Sequence, residues 1–139
     1  SPLHGEGREF DPLIPHHYCE STMNAIIFIL TLLFIKHFIV DYVLQKAYHF
    51  QNKGVYGHPG GIQHAALHGL GTFICLFYFT PAAIALSLVD FVAHYHIDWI
   101  KTKFGPKDNT KSIFWVWFGA DQLAHALTYL WIVNFVITN

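Results

Sequence analysis

Apolar residues dominate four long stretches of this chain, and short polar segments containing glycine or proline separate them. The stretches cover about residues 24–46, 61–79, 82–104 and 112–137. At ~1.5 Å of rise per helical residue, each is about as long as the ~30 Å hydrocarbon core of a bilayer is thick. The pattern predicts an all-α fold, a four-transmembrane-helix antiparallel bundle in which short loops join neighbouring helices.

The first 22 residues differ from the rest. They are polar, contain proline and glycine and have no helical period, and they lack the basic start and apolar run of a signal peptide. Met23 then opens the first apolar stretch, as an initiator residue would. We therefore predict a polar N-terminal arm over residues 1–22, which is an extension or an alternative start, and a four-helix membrane domain over residues 23–139.

The third apolar stretch carries an unusual polar stripe. Asp90, His94 and Asp98 recur at every fourth residue of an otherwise apolar run. On a helix each such step turns only about 40°, so the three side chains share one face. His96 points away from that face and is predicted to be a packing residue.

Each of the other three stretches also carries a pair of metal-capable side chains four residues apart. Counted from the predicted helix ends, most of these side chains lie in one slab about 5–15 Å below the same membrane surface. Four helices with polar pairs at matching depth predict a shared metal site. The predicted ligands are His37, Asp41, His64, His68, His94, Asp98, Asp121 and His125.

Burial of several carboxylates requires compensation. An aspartate at the bilayer centre costs about 2.5–3.5 kcal/mol on insertion scales, and a divalent cation would neutralise the carboxylates and engage the imidazoles together. Nitrogen and oxygen donors favour one or two zinc ions, with manganese or iron as alternatives. Asp41, Asp98 and Asp121 are also candidate catalytic bases. Four residues are assigned to the surroundings of the site: Asp90, Gln45, Gln122 and Lys101.

Composition and charge support a membrane location. Hydrophobic residues make up 53% of the 139 residues and charged residues 12%, against about 25% charged in typical globular chains. The net charge of −1 gives no indication of a nucleic-acid partner. Lysines flank the connections at residues 47–60 and 105–111, which the positive-inside rule makes cytoplasmic. We predict a multi-pass inner-membrane protein with both termini on the opposite side, and Lys36 either snorkels or contacts the polar centre.

The combined pattern resembles a known family. Its pieces are His37–Gln45, the His64/His68 pair, His94 with Asp98 and Lys101, and Asp121-Gln122 with His125. In order and spacing, residues 23–137 resemble the domain of unknown function 3307, small multi-pass membrane proteins of bacteria and phages. Members are similar, more distantly, to inner-membrane proteins regarded as metal-dependent hydrolases, so the resemblance implies a metal-binding membrane domain.

The leading hypothesis is a metal-dependent hydrolase that acts near the cytoplasmic leaflet on a lipid or another substrate. A bound metal would lower the pKa of a water toward 7 for attack on an ester, phosphoester or amide, and a free carboxylate would take the proton. The alternative is a non-enzymatic protein whose His/Asp core conducts ions or protons, or only holds an accessory subunit together. The expected partners are the lipid bilayer and either further copies of the chain or a larger membrane complex.

Overall fold

The computed structural model describes the backbone of residues 13–139 and the side chains from Glu20 onward. Within that part, all regular secondary structure is helical. Most of the predicted arm, residues 1–12, lies outside the described residues. The helices are α1 (Leu13–Phe38), a π-helical segment (Ile39–Leu44), α2 (Ala47–Asn52), α3 (Pro59–Leu76), α4 (Ala83–Phe104) and α5 (Ser112–Thr138).

The first helix differs from its predicted extent at both ends. It begins at Leu13 rather than at residue 24, so residues 13–22 of the predicted arm are helical although their sequence is polar. At its other end the helix widens into the π-helical segment and stops at Leu44. Gln45 and Lys46 then adopt extended conformations, and the chain turns out of the helix axis.

The connection predicted as a loop over residues 47–60 contains the short helix α2. Gly57 follows with a φ of +77°, a left-handed conformation that glycine adopts without steric cost. His58 accepts a hydrogen bond from the Gly60 amide at 3.0 Å, and Pro59 occupies the first turn of α3, where its missing N–H costs nothing. The α2 helix packs against α3 at this end of the bundle.

The four long helices form a bundle in which each packs against two others, in the cyclic order α1, α3, α4 and α5. The closest approach is between α3 and α4, where a Cβ atom on Gly69 would lie 3.0 Å from the Ser87 carbonyl oxygen. The small residues Ala65 and Gly69 therefore allow the backbones to come together, as the small-xxx-small pattern predicts.

The interior of the bundle has two halves of different chemistry. Near the α3–α4 turn it is apolar, with a core built from Ile29, Leu33, Leu76, Ala83, Leu86, Tyr129, Ile132 and Val133. Toward α2 the buried side chains are instead histidines, aspartates and lysines. Large apolar side chains cover the outside of the same helices, including Leu88 (58% exposed) and Trp131 (51% exposed).

One stretch in the described part of the chain, Glu20–Leu44, is long and apolar enough to cross a membrane, with a mean hydropathy of 2.2. It overlaps the first of the four predicted spans. The other three predicted spans coincide with α3, α4 and α5 but do not reach the same apolarity, because buried ionisable residues lower their mean hydropathy. The all-helical prediction is confirmed, and hydropathy supports a membrane span for the first helix only.

Candidate metal centre

All eight predicted ligands lie in one cluster in the polar half of the bundle. Their donor atoms form three overlapping groups, and within each group the donor atoms are no more than 4.8 Å apart. The groups are Asp41, His64, His68 and His94; His37, His94 and His125; and Asp98, Asp121 and His125. The sequence thus identified the members of the cluster correctly, and their role as metal ligands stays a prediction.

The donor atoms of the group around Asp41 lie close together. The Asp41 Oδ1 atom lies 3.1 Å from His64 Nε2, 3.0 Å from His68 Nε2 and 3.7 Å from His94 Nε2. The Nε2 atoms of His64 and His94 are 3.4 Å apart. Ligands at the ~2.0–2.1 Å distances typical of zinc in a tetrahedron are separated by about 3.3 Å. Four side chains from three helical segments therefore bring their donor atoms close to the separations that a metal ion requires.

The histidine rings are tightly packed around His94. Its ring is stacked on that of His68 with centroids 3.4 Å apart, and on that of His125 with centroids 4.1 Å apart. The His37 ring completes the set, 5.0 Å from the His125 ring. Such closely packed rings cannot all carry a positive charge without strong repulsion, so the neutral, ligating form of imidazole suits the cluster.

Asp98 joins the Asp41 group to the third group. Its Oδ2 atom lies 3.2 Å from His64 Nε2 and 3.4 Å from His94 Nε2, and it accepts a hydrogen bond from Lys53 Nζ at 3.1 Å. Its Oδ1 atom faces His125 Nε2 at 3.9 Å. Lys53 is buried, and its position at the end of α2 explains how a connecting segment reaches the interior.

The two carboxylate oxygens of Asp121 differ in their hydrogen bonding. Its Oδ2 atom accepts a hydrogen bond from Gln122 Nε2 at 3.1 Å. Its Oδ1 atom is buried and has no hydrogen-bond partner in the described part of the chain, although His125 Nε2 lies 3.7 Å away. A buried carboxylate oxygen without a donor is costly unless it binds a ligand or takes up a proton.

Asp90 lies outside the three groups of donor atoms, one turn deeper than His94. Its Oδ2 atom accepts hydrogen bonds from Lys36 Nζ at 2.8 Å and from Thr72 Oγ1 at 2.6 Å. Lys36 also donates to the Tyr129 hydroxyl at 3.0 Å, and that hydroxyl lies 2.8 Å from His37 Nδ1. Asp90 thus belongs to the surroundings of the site, where its charge pairs with a buried ammonium group.

The remaining predicted residues surround the cluster. Gln45 donates to the Asp41 backbone carbonyl at 2.7 Å, which steadies the π-helical turn that carries this aspartate. Lys101 places its ammonium group 5.4 Å from the centroid of the Phe118 ring. His96 lies outside the cluster, with its Nδ1 atom 2.7 Å from the Val92 carbonyl oxygen, which agrees with its predicted orientation.

Sequence reasoning missed Lys53, Thr72 and Tyr129. Thr72 and Tyr129 lie four residues from His68 and His125, so the same i,i+4 rule extends each polar stripe by one residue and would have found both. Lys53 directly precedes a turn-rich segment and carries no such signal. His49 on α2 is also buried, with its ring 6.0 Å from that of His64, and burial together with the charges of His64 and Lys46 lowers its pKa.

The fold and the site define a class of protein, a small helical bundle with a buried His/Asp cluster at one end. The chain belongs to the family described as "Protein of unknown function (DUF3307)", which it matches over residues 29–139. No curated protein and no solved structure matches the chain. The resemblance drawn from the sequence motifs is therefore confirmed at the level of the family.

Proposed function

We propose that this protein is a membrane-embedded, metal-dependent hydrolase whose metal is held by Asp41, His64, His68 and His94. The observation that carries the proposal is the close spacing of their donor atoms, of which four pairs lie 3.0–3.7 Å apart. Three nitrogens and one oxygen are a donor set that suits zinc, and manganese or iron are the next candidates. A more distant resemblance of members of the family to inner-membrane metal-dependent hydrolases, as the sequence motifs imply, would agree with this proposal.

The balance of buried charge favours one divalent cation. With its histidines neutral, the interior holds four carboxylates, of which Asp41 is nearly and the others fully buried, and two buried ammonium groups, those of Lys36 and Lys53. Two negative charges remain uncompensated, and buried charges without partners are strongly unfavourable. A single M²⁺ would cancel them, whereas a second ion would require additional anions from a hydroxide or a substrate.

The neighbouring side chains are arranged for hydrolysis. A divalent cation at the site would lower the pKa of a coordinated water and supply a nucleophile at neutral pH. The unpartnered Oδ1 atom of Asp121 is the candidate proton acceptor. The Lys53 ammonium holds Asp98 through its Oδ2 atom, so Asp98 orients the histidines while Asp121 stays available.

The distribution of apolar side chains supports placement of all four long helices in a bilayer. Exposed aliphatic and aromatic side chains cover α3, α4 and α5 as they cover α1, while the charged groups lie inside. A water-soluble bundle would show the opposite arrangement. We place residues 47–60 and 105–111 on the cytoplasmic side of an inner membrane, since lysines flank both connections. The metal centre would then lie near the cytoplasmic leaflet.

An ion- or proton-conducting role is less well supported. Beyond Asp90 the interior is closed by the apolar core around Leu33, Leu76 and Leu86. The polar groups therefore occupy one half of the bundle, which is the geometry of a site open to one side. A conducting path would need polar groups through the full thickness, contributed by several copies of the chain.

Metal content tests the proposal directly. We expect the detergent-purified protein to contain about one zinc, manganese or iron ion per chain by elemental analysis, and His94→Asn to lose most of it. His96→Asn is the matched control, because it removes an imidazole from the same helix outside the cluster. An unaltered protein without stoichiometric metal would overturn the proposal.

Turnover separates an enzyme from a metal-stabilised structural subunit. Asp121→Asn should keep the metal yet lower hydrolysis of ester or phosphoester substrates about 10²–10⁴-fold, the usual contribution of a general base. Asp108→Asn is the control. That carboxylate lies in the polar connection, and hydrogen bonds from Thr110 hold its pKa below the usual range. Equal turnover by both variants would favour the structural role.

A further inference from the structure

A continuous apolar groove runs between α4 and α5 and ends at the candidate metal centre. Its inner part, about 180 Å³, is lined by Ile97, Ala120 and Ala124 and reaches Asp121. Its outer part, about 480 Å³, shares Ile97 and Ala124 and continues past Ala93 to Trp131. The alanines at these positions leave the space that larger side chains would fill.

The polar end of the groove carries two features that indicate a ligand. Asp121, only 6% exposed, lines the inner part and has a buried oxygen without a hydrogen-bond partner in the described part of the chain. Lys101 lines the same part, and no carboxylate of the described residues lies within ion-pair distance of its ammonium group. A cation at one end of an apolar groove matches an anionic amphiphile.

A second cavity on the other side of Lys101 provides room for a head group. It measures about 390 Å³ and lies at the 105–111 connection, where Lys101 and Lys107 both line it. Asn109 and Thr102 add polar atoms, and no acidic side chain is among the lining residues, of which Phe50, Phe114, Trp115 and Phe118 are aromatic. Lys107 donates a hydrogen bond to the Thr102 carbonyl. The cavity therefore combines two cationic side chains with a largely aromatic wall.

The length of the groove agrees with one leaflet of a bilayer. Lys101 lines the inner part of the groove and Val89 the outer part. The twelve residues that separate them along α4 span about 18 Å at the helical rise. Half of a ~30 Å hydrocarbon core is about 15 Å. An acyl chain lying along the groove would thus have its polar end at Lys101 when it is oriented as in the cytoplasmic leaflet.

We infer that the groove binds an anionic lipid, with an acyl chain between α4 and α5 and its head group at Lys101 and Lys107. The bond between chain and head group would then lie near Asp121. Binding depends only on the groove and the two lysines, whereas the lipid's role as a substrate rests on the proposed function.

Quenching of the native tryptophans tests the binding, because Trp131 lines the outer part of the groove, Trp117 the inner part and Trp115 the cavity. The protein is placed in phosphatidylcholine vesicles. The quenchers are phosphatidylglycerol or phosphatidylcholine with brominated acyl chains. We expect the anionic lipid to bind about fivefold more tightly than phosphatidylcholine, which is the effect of one lysine at a membrane surface. Equal quenching by the two lipids would overturn the inference.

Matched variants locate the preference. Lys101→Gln should abolish it, and Ala93→Leu should reduce it by filling the groove, while Lys111→Gln, an exposed lysine paired with Asp108, should leave it unchanged. An unchanged preference in Lys101→Gln would also overturn the inference. Elemental analysis of the same samples keeps the two proposals apart. Lipid preference in protein without metal contradicts the hydrolase alone, and metal without lipid preference contradicts the groove alone.

Discussion

The Lys36–Asp90 pair shows what one buried charge requires of its surroundings. Lys36 is 6% exposed and Asp90 1%, and their 2.8 Å contact is completed by Thr72 and Tyr129. The aliphatic part of Lys36 passes over Gly71, where a Cβ atom would lie 2.6 Å from Lys36 Cγ. The lysine thus reaches the polar half of the bundle only because a glycine on α3 makes room.

Lys36→Met should therefore be strongly destabilising. It leaves the Asp90 carboxylate buried without its counter-charge, which typically costs about 3–5 kcal/mol. The double variant Lys36→Met, Asp90→Asn should recover most of this loss, since neither charge is then buried. Chemical unfolding in detergent measures both effects, with the exposed Lys103→Met as the control. Equal losses in the single and double variants would contradict the role assigned to the pair.

At the scale of the element, the α3–α4 contact determines whether His68 can meet His94. The two rings are stacked 3.4 Å apart, which requires the helix backbones to approach closely at Gly69. The π-helical segment has a comparable role at the end of the first helix, because it places the Asp41 carboxylate 3.0 Å from His68 Nε2. Wide helical turns of this kind are frequent at functional sites.

Gly69→Val should separate α3 from α4. We expect a loss of about 1–3 kcal/mol of unfolding free energy from overpacking, together with reduced metal content, because the donor atoms of His68 and His94 move apart. Gly119→Ala on α5 is the contrasting control. Its Cβ atom would meet nothing within 4 Å, so it should stabilise the helix by up to about 1 kcal/mol. Full metal content in Gly69→Val would contradict the dependence on helix contact.

At the scale of the whole molecule, the arrangement of side chains is inverted relative to a soluble protein. Most charged groups along the middle of the helices are inside, while exposed charges such as Lys103 and Lys111 lie near the connections. The outside carries aliphatic and aromatic residues on all four long helices. The hydropathy of α3, α4 and α5 underestimates this exterior, because it averages the outer face with the buried polar stripe.

Spin labels on cysteine can measure the exterior directly in lipid vesicles. Labels at Ile74, Leu88 and Leu127, on three different helices, should be accessible to oxygen and protected from a water-soluble nickel chelate. A label at Asn109, exposed in the connection at residues 105–111, should show the reverse. Each label is attached in a variant in which Cys19 and Cys75 have been replaced, so that only the introduced cysteine reacts. If the nickel chelate reached the three helical positions as readily as Asn109, the result would contradict a four-helix membrane domain.

The sequence alone was sufficient for the four long helices, apart from the start of α1, and for the eight members of the cluster. An i,i+4 repeat places His and Asp on one helical face, and the cost of burying such groups requires the faces to meet. The same reasoning extends to Thr72 and Tyr129. These features depend on the helical period and on desolvation, which are local properties of the chain.

Only the tertiary structure decided how the donors are grouped and which cations join them. The grouping of Asp41 with His64, His68 and His94 depends on helix order and rotation, which a helical period does not specify. Lys53 enters the site because α2 packs against α3 and ends beside Asp98, although its local sequence indicates only a turn. The pairing of Lys36 with Asp90 likewise joins residues far apart in the chain. Contacts between helices are set by packing in three dimensions, and packing determines the chemistry at the centre of this protein.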